Sequence, residues 1–478
     1  MGSLTRSCRI EGKLIEMTFI SRLLGPNSLP GGMRNFVKMR RDPLAFIDSL
    51  AQQGDIVYFR MGPYQTYLLN EPEAVRELLI THARKWVKGP LLQRAKPLLG
   101  NGLLTSEGEL HTRQRRLVQP IFRRQRMMGY SEIMVDCALQ YRHRWHDRQS
   151  VNMHDEIMRL TLAIVGKTLF GDDFERDTIG IADAVSNLLH TANVSEAPLG
   201  ILLARLGIPN PAQQSLDRAR SSLRGVIRRL LRERHASNVV RDDLLSLLMA
   251  AQDTEGDGGK MSEEQIFDEC ATLLIAGHET TANALTWTFY LLSQNPREEL
   301  RMHAELDSVL AGRRPTFEDV PRLPYTEQVL AEAIRMYPPA WLMGRFLTEP
   351  VRIGKHDFAR DDLLFVSPYT MQHDPRFYPN PHLFHPERFR PEAKASRPKF
   401  SYFPFGAGPR QCIGESFAWM EGTLVLATLA QRFTMRLSPG QRVEPEALLT
   451  LRPKHGMQMV LHDRKEAAPT QTAATPTG

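Results

Sequence analysis

The chain of 478 residues holds only four cysteines, Cys8, Cys137, Cys270 and Cys412, and none of them forms a Cys-x-x-Cys pair. That scarcity excludes a disulfide framework, points to a reducing compartment, and leaves at most one or two thiols needing a task. No run approaches the roughly 20 apolar residues that span a bilayer, so no transmembrane anchor is expected. The opening MGSLTRSCRIEGKLIEM lacks the apolar core of a signal peptide, and a cytoplasmic protein is expected. Neither an internal repeat nor a Gly-rich flavin or nicotinamide fingerprint is visible. Basic side chains outnumber acidic ones by 61 to 54, an excess too diffuse for nucleic acid but suited to an acidic protein partner.

What is present is an ordinary globular composition, 42% hydrophobic and 24% charged. Residues 1–20 read as a leader, 21–463 as a single domain, and 464–478, rich in Pro and Thr, as a disordered tail. Most of the middle has helical periodicity, including the Arg-rich stretch Leu216–Asn238 and its continuation Asp242–Ala251. The longest helix starts at a capping box, Ser262 with Gln265, and runs to the stop at Asn295-Pro296. Short β-rich pieces are expected at Ile56–Met61, Thr66–Leu69, Phe346–Ile353 and Asp362–Val366. A last helix is expected at Glu415–Phe433. The fold class is therefore mostly α with a minor sheet.

The most informative segment is Phe405-Gly-Ala-Gly-Pro-Arg-Gln-Cys412-Ile-Gly414, a Gly-rich loop immediately before a helix. Loop amides and a helix N-terminus are expected to favour the Cys412 thiolate. Glycines Gly408 and Gly414 let backbone N–H groups approach the sulfur, Phe405 shields it, and Arg410 can meet a carboxylate of a cofactor. The segment resembles the haem-binding signature of the cytochrome P-450 family, with every defining position present. The resemblance implies that Cys412 is the axial ligand of haem b iron, and that the chain activates O2. It also implies a helical prism with a small β-rich region, the haem lying between the long central helix and the Cys loop.

Three further motifs follow in the family's order. Ala276-Gly277-His278-Glu279-Thr280-Thr281, in the middle of the long helix, is similar to the oxygen-activation motif. Its small pair would let the helix bulge and make room for O2, Thr280 would bond the oxygen, and Glu279 would relay protons. Glu332 and Arg335, followed by Arg388 in Pro-Glu-Arg-Phe, are implied to form a buried structural triad. His111 and Arg115 share a helix face, and with Arg345 they are implied to hold the haem propionates. Arg113, Arg116, Arg123, Arg124 and Arg126 are implied to lie near the face that docks an acidic electron donor.

By the same resemblance the substrate chamber is lined by Leu103, Leu104, Leu273, Ala276, Ala340, Trp341, Leu342, Met343, Leu449 and Thr450, with Leu188–Ile208 as a lid. That lining suits a lipophilic substrate: a terpenoid, a fatty-acid-like chain or a macrocyclic natural product. Electrons are expected from a ferredoxin or flavodoxin with its reductase, and the protein is expected to be a monomer. Alternatives from other classes are a member that uses peroxide or isomerises, and a haem-binding sensor without catalysis.

Overall fold

The computed structural model describes residues 31–464, apart from 94, 172–210, 237–242, 254–255 and 257. The leader at 1–20, the tail beyond 464 and the lid at 188–208 lie outside the described residues. The helices of seven residues or more are α1 (Gly31–Arg41), α2 (Pro43–Ala51), α3 (Gly108–Val118), α4 (Arg124–Arg144), α5 (Met153–Phe170) and α6 (Pro211–Ala236). They continue with α7 (Leu244–Ala250), α8 (Glu263–Gln294), α9 (Pro296–Leu310), α10 (Pro324–Met336) and α11 (Glu415–Ala430).

Helix α8 begins where the sequence places it. The Ser262 hydroxyl accepts the Gln265 N–H at 3.2 Å and Gln265 Oε1 accepts the Ser262 N–H at 2.9 Å. Its 32 residues make a rod of about 48 Å. Phe267, Leu274, Leu285, Trp287 and Phe289 bury it on most sides, as befits a central helix. Around it α4, α5 and α11 build the main core, with Val135, Ile164 and Leu424 fully or almost fully buried.

Helix α8 stays regularly α-helical through Ala276-Gly277, which corrects the expected bulge. Gly277 is small because α5 passes over it. A Cβ there would meet Val165 at 3.1 Å. The glycine serves close packing of two helices rather than an opening in one.

The strands are β1 (Ile56–Met61), β2 (Tyr64–Leu69), β3 (Trp86–Lys88), β4 (Ser150–Asn152), β5 (Met343–Leu347), β6 (Val351–Ile353), β7 (His356–Phe358), β8 (Leu363–Val366), β9 (Phe433–Leu437), β10 (Pro445–Ala447), β11 (Leu451–Pro453) and β12 (Gln458–Asp463). Five of them form one mixed sheet in the order β1-β2-β8-β5-β3. The single piece expected at Phe346–Ile353 is two strands, broken at Thr348-Glu349-Pro350, because a proline cannot donate into a ladder. One apolar cluster of this sheet, with Trp86, Leu347 and Leu364, also takes in Phe403 and Ala407 of the Cys loop. The sheet thus carries the loop on its back. In the register of β3 and β5, Lys88 stands opposite Arg345.

Candidate functional site

The loop from Phe403 to Gly414 is pinned by its own backbone. Gly406 N–H donates to Phe403 O and Cys412 N–H to Phe405 O, both at 2.9 Å. Gly406 and Gly408 sit at φ +70° and +67°, where a side chain is strained. At Gly408 a Cβ would also stand 2.4 Å from the Leu79 carbonyl oxygen. Gly414 differs: its φ is −91°, and the nearest atom to an added Cβ is Phe122 at 3.9 Å. Gly408→Ala is therefore expected to cost at least about 2 kcal/mol in urea unfolding, while Gly414→Ala stays within about 1 kcal/mol. Equal losses would disprove this reading of the loop.

The Gly414 N–H bonds the Cys412 sulfur and Arg115 faces it, both favouring the thiolate. Burial works the other way and prevails, pushing the thiol up to about 11. The residue is nonetheless open on one side, where its surface is exposed. A coordinated metal ion is what removes its proton. Phe405 packs against Trp419 with ring centres 5.5 Å apart, walling one side of the loop.

Helix α3 brings His111 and Arg115 to the same place. Arg115 donates to the Gln411 carbonyl at 2.8 Å, one residue before Cys412. Arg410 is bound by Glu107 and by Ser106 O at 2.8 Å, so protein groups already engage it. Arg345 is buried, stacks over Trp86 at 4.3 Å and leaves its Nε without a partner. Lys88 joins them, buried, with Nζ donating to Leu104 O at 2.5 Å.

Four cations and His111 thus gather around one carboxylate, Glu107, and the strain registers in their proton affinities. Burial first, then neighbouring cations, holds Lys88 down to about 7, His111 to about 3 and Arg345 to about 10. A cluster so overloaded with positive charge calls for anionic oxygen. A porphyrin dicarboxylate placed over the Cys412 sulfur meets both needs, so the residues present fit a haem. Lys88 was invisible in the sequence because Trp-Val-Lys carries no motif; only the β3–β5 register delivers it.

On α8, the Thr280 hydroxyl donates to Ala276 O at 2.8 Å. Glu279 is buried and turned away from it, accepting from the Thr450 hydroxyl at 2.6 Å. Glu332, Arg335 and Arg388 come together behind α8. Arg335 grips Glu332 at 2.7 and 2.9 Å, both side chains being wholly buried, and Arg388 Nε lies 3.3 Å from Glu332.

The expected chamber residues do not all line one wall. Trp341 is core, its Nε1 donating to Leu448 O, so indole size is spent on the sheet. Thr450 belongs to the Glu279 hydrogen bonds, and Leu449 is 47% exposed. Leu103, Leu104 and Leu273 pack with the main core, and Leu342 with the sheet. Ala340 is partly buried, and Met343 lies beside Gly406 of the Cys loop. Two acids missed in the sequence anchor the chamber's loop: Asp268 takes the Asn101 N–H at 2.8 Å and Glu269 the Leu103 N–H at 3.0 Å. Burial raises both, Glu269 to about 8. An acidic surface groove of about 540 Å³, lined by Glu71, Glu73, Glu77 and Lys355, contains none of the site residues. Of the five arginines assigned to docking, Arg116 is locked bidentately to Asp253 and Arg113 bonds Lys260 O, whereas Arg123 and Arg124 are exposed. Among the described residues no helix is long and apolar enough to cross a membrane.

A sulfur on a Gly-rich loop, a cationic rim and a central helix with an acid–alcohol pair define the haem-thiolate class of oxygenases. The cytochrome P-450 family profile matches residues 26–460. Cyclooctatin synthase of Streptomyces melanosporofaciens is 40% identical, the match covering 88% of this chain and 92% of that protein. Cyclooctat-9-en-7-ol 5-monooxygenase of the same organism is 35% identical over 87% of this chain and 90% of its own length. The solved structure of retinoic acid bound cyanobacterial CYP120A1 superposes with a TM-score of 0.79 and 26% identity, covering 90% of this chain and 96% of that one. The chain belongs to the cytochrome P-450 family and is a monooxygenase that uses haem iron and O2.

Proposed function

We propose that the protein oxygenates a terpenoid, using haem b and electrons from a ferredoxin or flavodoxin with its reductase, as a cytoplasmic monomer. The observation that carries the reading is the Cys412 sulfur set beside an uncompensated cationic cluster. The substrate class rests on the terpenoid-oxidising relatives. When bound, the thiolate-ligated haem supplies O2 activation and insertion of one oxygen atom into a C–H bond. Cys412 would hold the iron. Lys88, His111, Arg115 and Arg345 would hold the carboxylates, with Arg410 shared with Glu107. Ala276 would flank the oxygen site, where Thr280 would hold a proton on its hydroxyl and Glu279, held by Thr450, would supply protons to the site.

Thr280→Ala is expected to retain haem and the substrate-induced spin-state change while diverting electrons to hydrogen peroxide. Product formed per reduced nicotinamide should fall at least about fivefold, a conservative figure for a positioned proton donor. Unaltered coupling would leave Thr280 with only its bond to Ala276. Turnover with surrogate redox partners and terpenoid hydrocarbons or alcohols tests the activity itself. Turnover on peroxide alone, or none with any oxidant, would favour the peroxide-using or sensor alternatives.

A further inference from the structure

Glu279 is the inner end of a hydrogen-bonded chain that leads out to the surface of α5. The Thr450 hydroxyl donates to Glu279 Oε1 at 2.6 Å, and Asn283 Nδ2 donates to Thr450 Oγ1 at 3.1 Å. His154 Nε2 lies 3.2 Å from Asn283 Oδ1, and its Nδ1 lies 3.8 Å from Asp155 Oδ1. The order is forced by chemistry. A carboxylate only accepts, so Thr450 must donate to it and can receive only a donor, which fixes the amide of Asn283. Asn283 Oδ1 then needs a donor, so His154 Nε2 carries a hydrogen in either charge state. The second proton of a cationic His154 goes to Nδ1, facing Asp155. Asn283 and Thr450 are buried, while the side chains of His154 and Asp155 are 14% and 53% exposed.

We propose that His154 is a positioning residue for Glu279, its charge setting, through Asn283 and Thr450, how readily Glu279 gives up a proton to the reaction. The inference rests on the monooxygenase reading and names a residue that no motif marks. When His154 gains a proton at the surface, no hydrogen bond in the chain has to reverse. The added charge polarises three donors toward Glu279 and favours its carboxylate. Among the described residues, Asp155 faces His154 and in turn feels Arg159 along the same helix; from α8 His154 meets the neutral Asn283, and Asn152 bonds Asp155. Glu279 faces Thr450 and its chain neighbour His278. Histidine is the side chain type whose unperturbed charge change falls nearest neutrality.

The test combines NMR of histidine-labelled haem-loaded protein with turnover. His154→Gln identifies the His154 signal. Glu279→Gln is expected to lower the His154 titration midpoint by on the order of half a pH unit, the coupling of unit charges roughly 10 Å apart in a partly screened medium. Thr450→Val, which cuts the chain but keeps its shape, should also lower the midpoint, by less. In turnover, product per reduced nicotinamide should show a pH step at the His154 midpoint, and His154→Gln should remove that step. A His154 midpoint that ignores both Glu279→Gln and Thr450→Val, or a pH step that survives His154→Gln, overturns the proposal. The NMR arm needs no turnover, so it still judges the chain if the substrate assignment or the monooxygenase reading fails.

Discussion

Replacing Cys412 by alanine abolishes the strongly red-shifted Soret band expected of the reduced protein under carbon monoxide. The band would report thiolate ligation of the haem iron, which the Cys412 side chain would supply. Its environment is built for a ligand rather than a reactive thiol. Burial pushes the free thiol up to about 11, while the Gly414 N–H and Arg115 would stabilise the anion once a metal takes the proton. The substitution removes one small side chain and its bond from the Gly414 N–H, but keeps the loop's backbone bond from Cys412 N–H to Phe405 O. Far-ultraviolet circular dichroism should therefore be unchanged while the band disappears. A red-shifted band in the alanine variant would end the assignment, as would imidazole ligation in the wild type.

Arg335→Ala is expected to lower stability by about 3–5 kcal/mol, the cost of stripping one partner from a buried pair. That is a large share of the roughly 5–15 kcal/mol that holds a typical fold together. Arg335 makes two bonds to Glu332 and reaches Gln372 O at 2.8 Å and Pro381 O at 2.7 Å. Without it Glu332 keeps only the His385 N–H at 2.9 Å and the nearby Arg388, and the loop around Pro381 loses its anchor. Urea unfolding and haem content after purification should fall together. Arg335→Lys keeps the charge but not the planar fork and should land between. Full haem content and a loss under about 1 kcal/mol in the alanine variant would reduce the triad to ornament.

Much of this molecule was legible in the linear order of residues. The capping box at Ser262 and the stop at Asn295-Pro296 fixed α8 because both act through nearest-neighbour hydrogen bonds and sterics. Glu332 and Arg335 were legible because a three-residue step is one helix face. Cys412 stood out because glycines, an arginine and a cysteine at fixed offsets describe a single local loop. Other features failed for want of the third dimension. Gly277 read as room for oxygen, yet it is spent on Val165 of another helix. Trp341 and Thr450 read as chamber wall, but what each side chain touches is decided by distant strands.

By itself, the order of amino acids determined the class of chemistry, the ends of the central helix and the Gly-rich loop that carries Cys412, since each is encoded by short-range signals along the chain. Tertiary structure alone decided that Lys88 faces Arg345, that Glu107 holds Arg410, and that Glu279 reaches His154 through Thr450 and Asn283. Those contacts join residues far apart in the chain, and strand register and helix packing choose them. Local propensity has no say in such pairings, because the energy that selects them exists only once the core has closed.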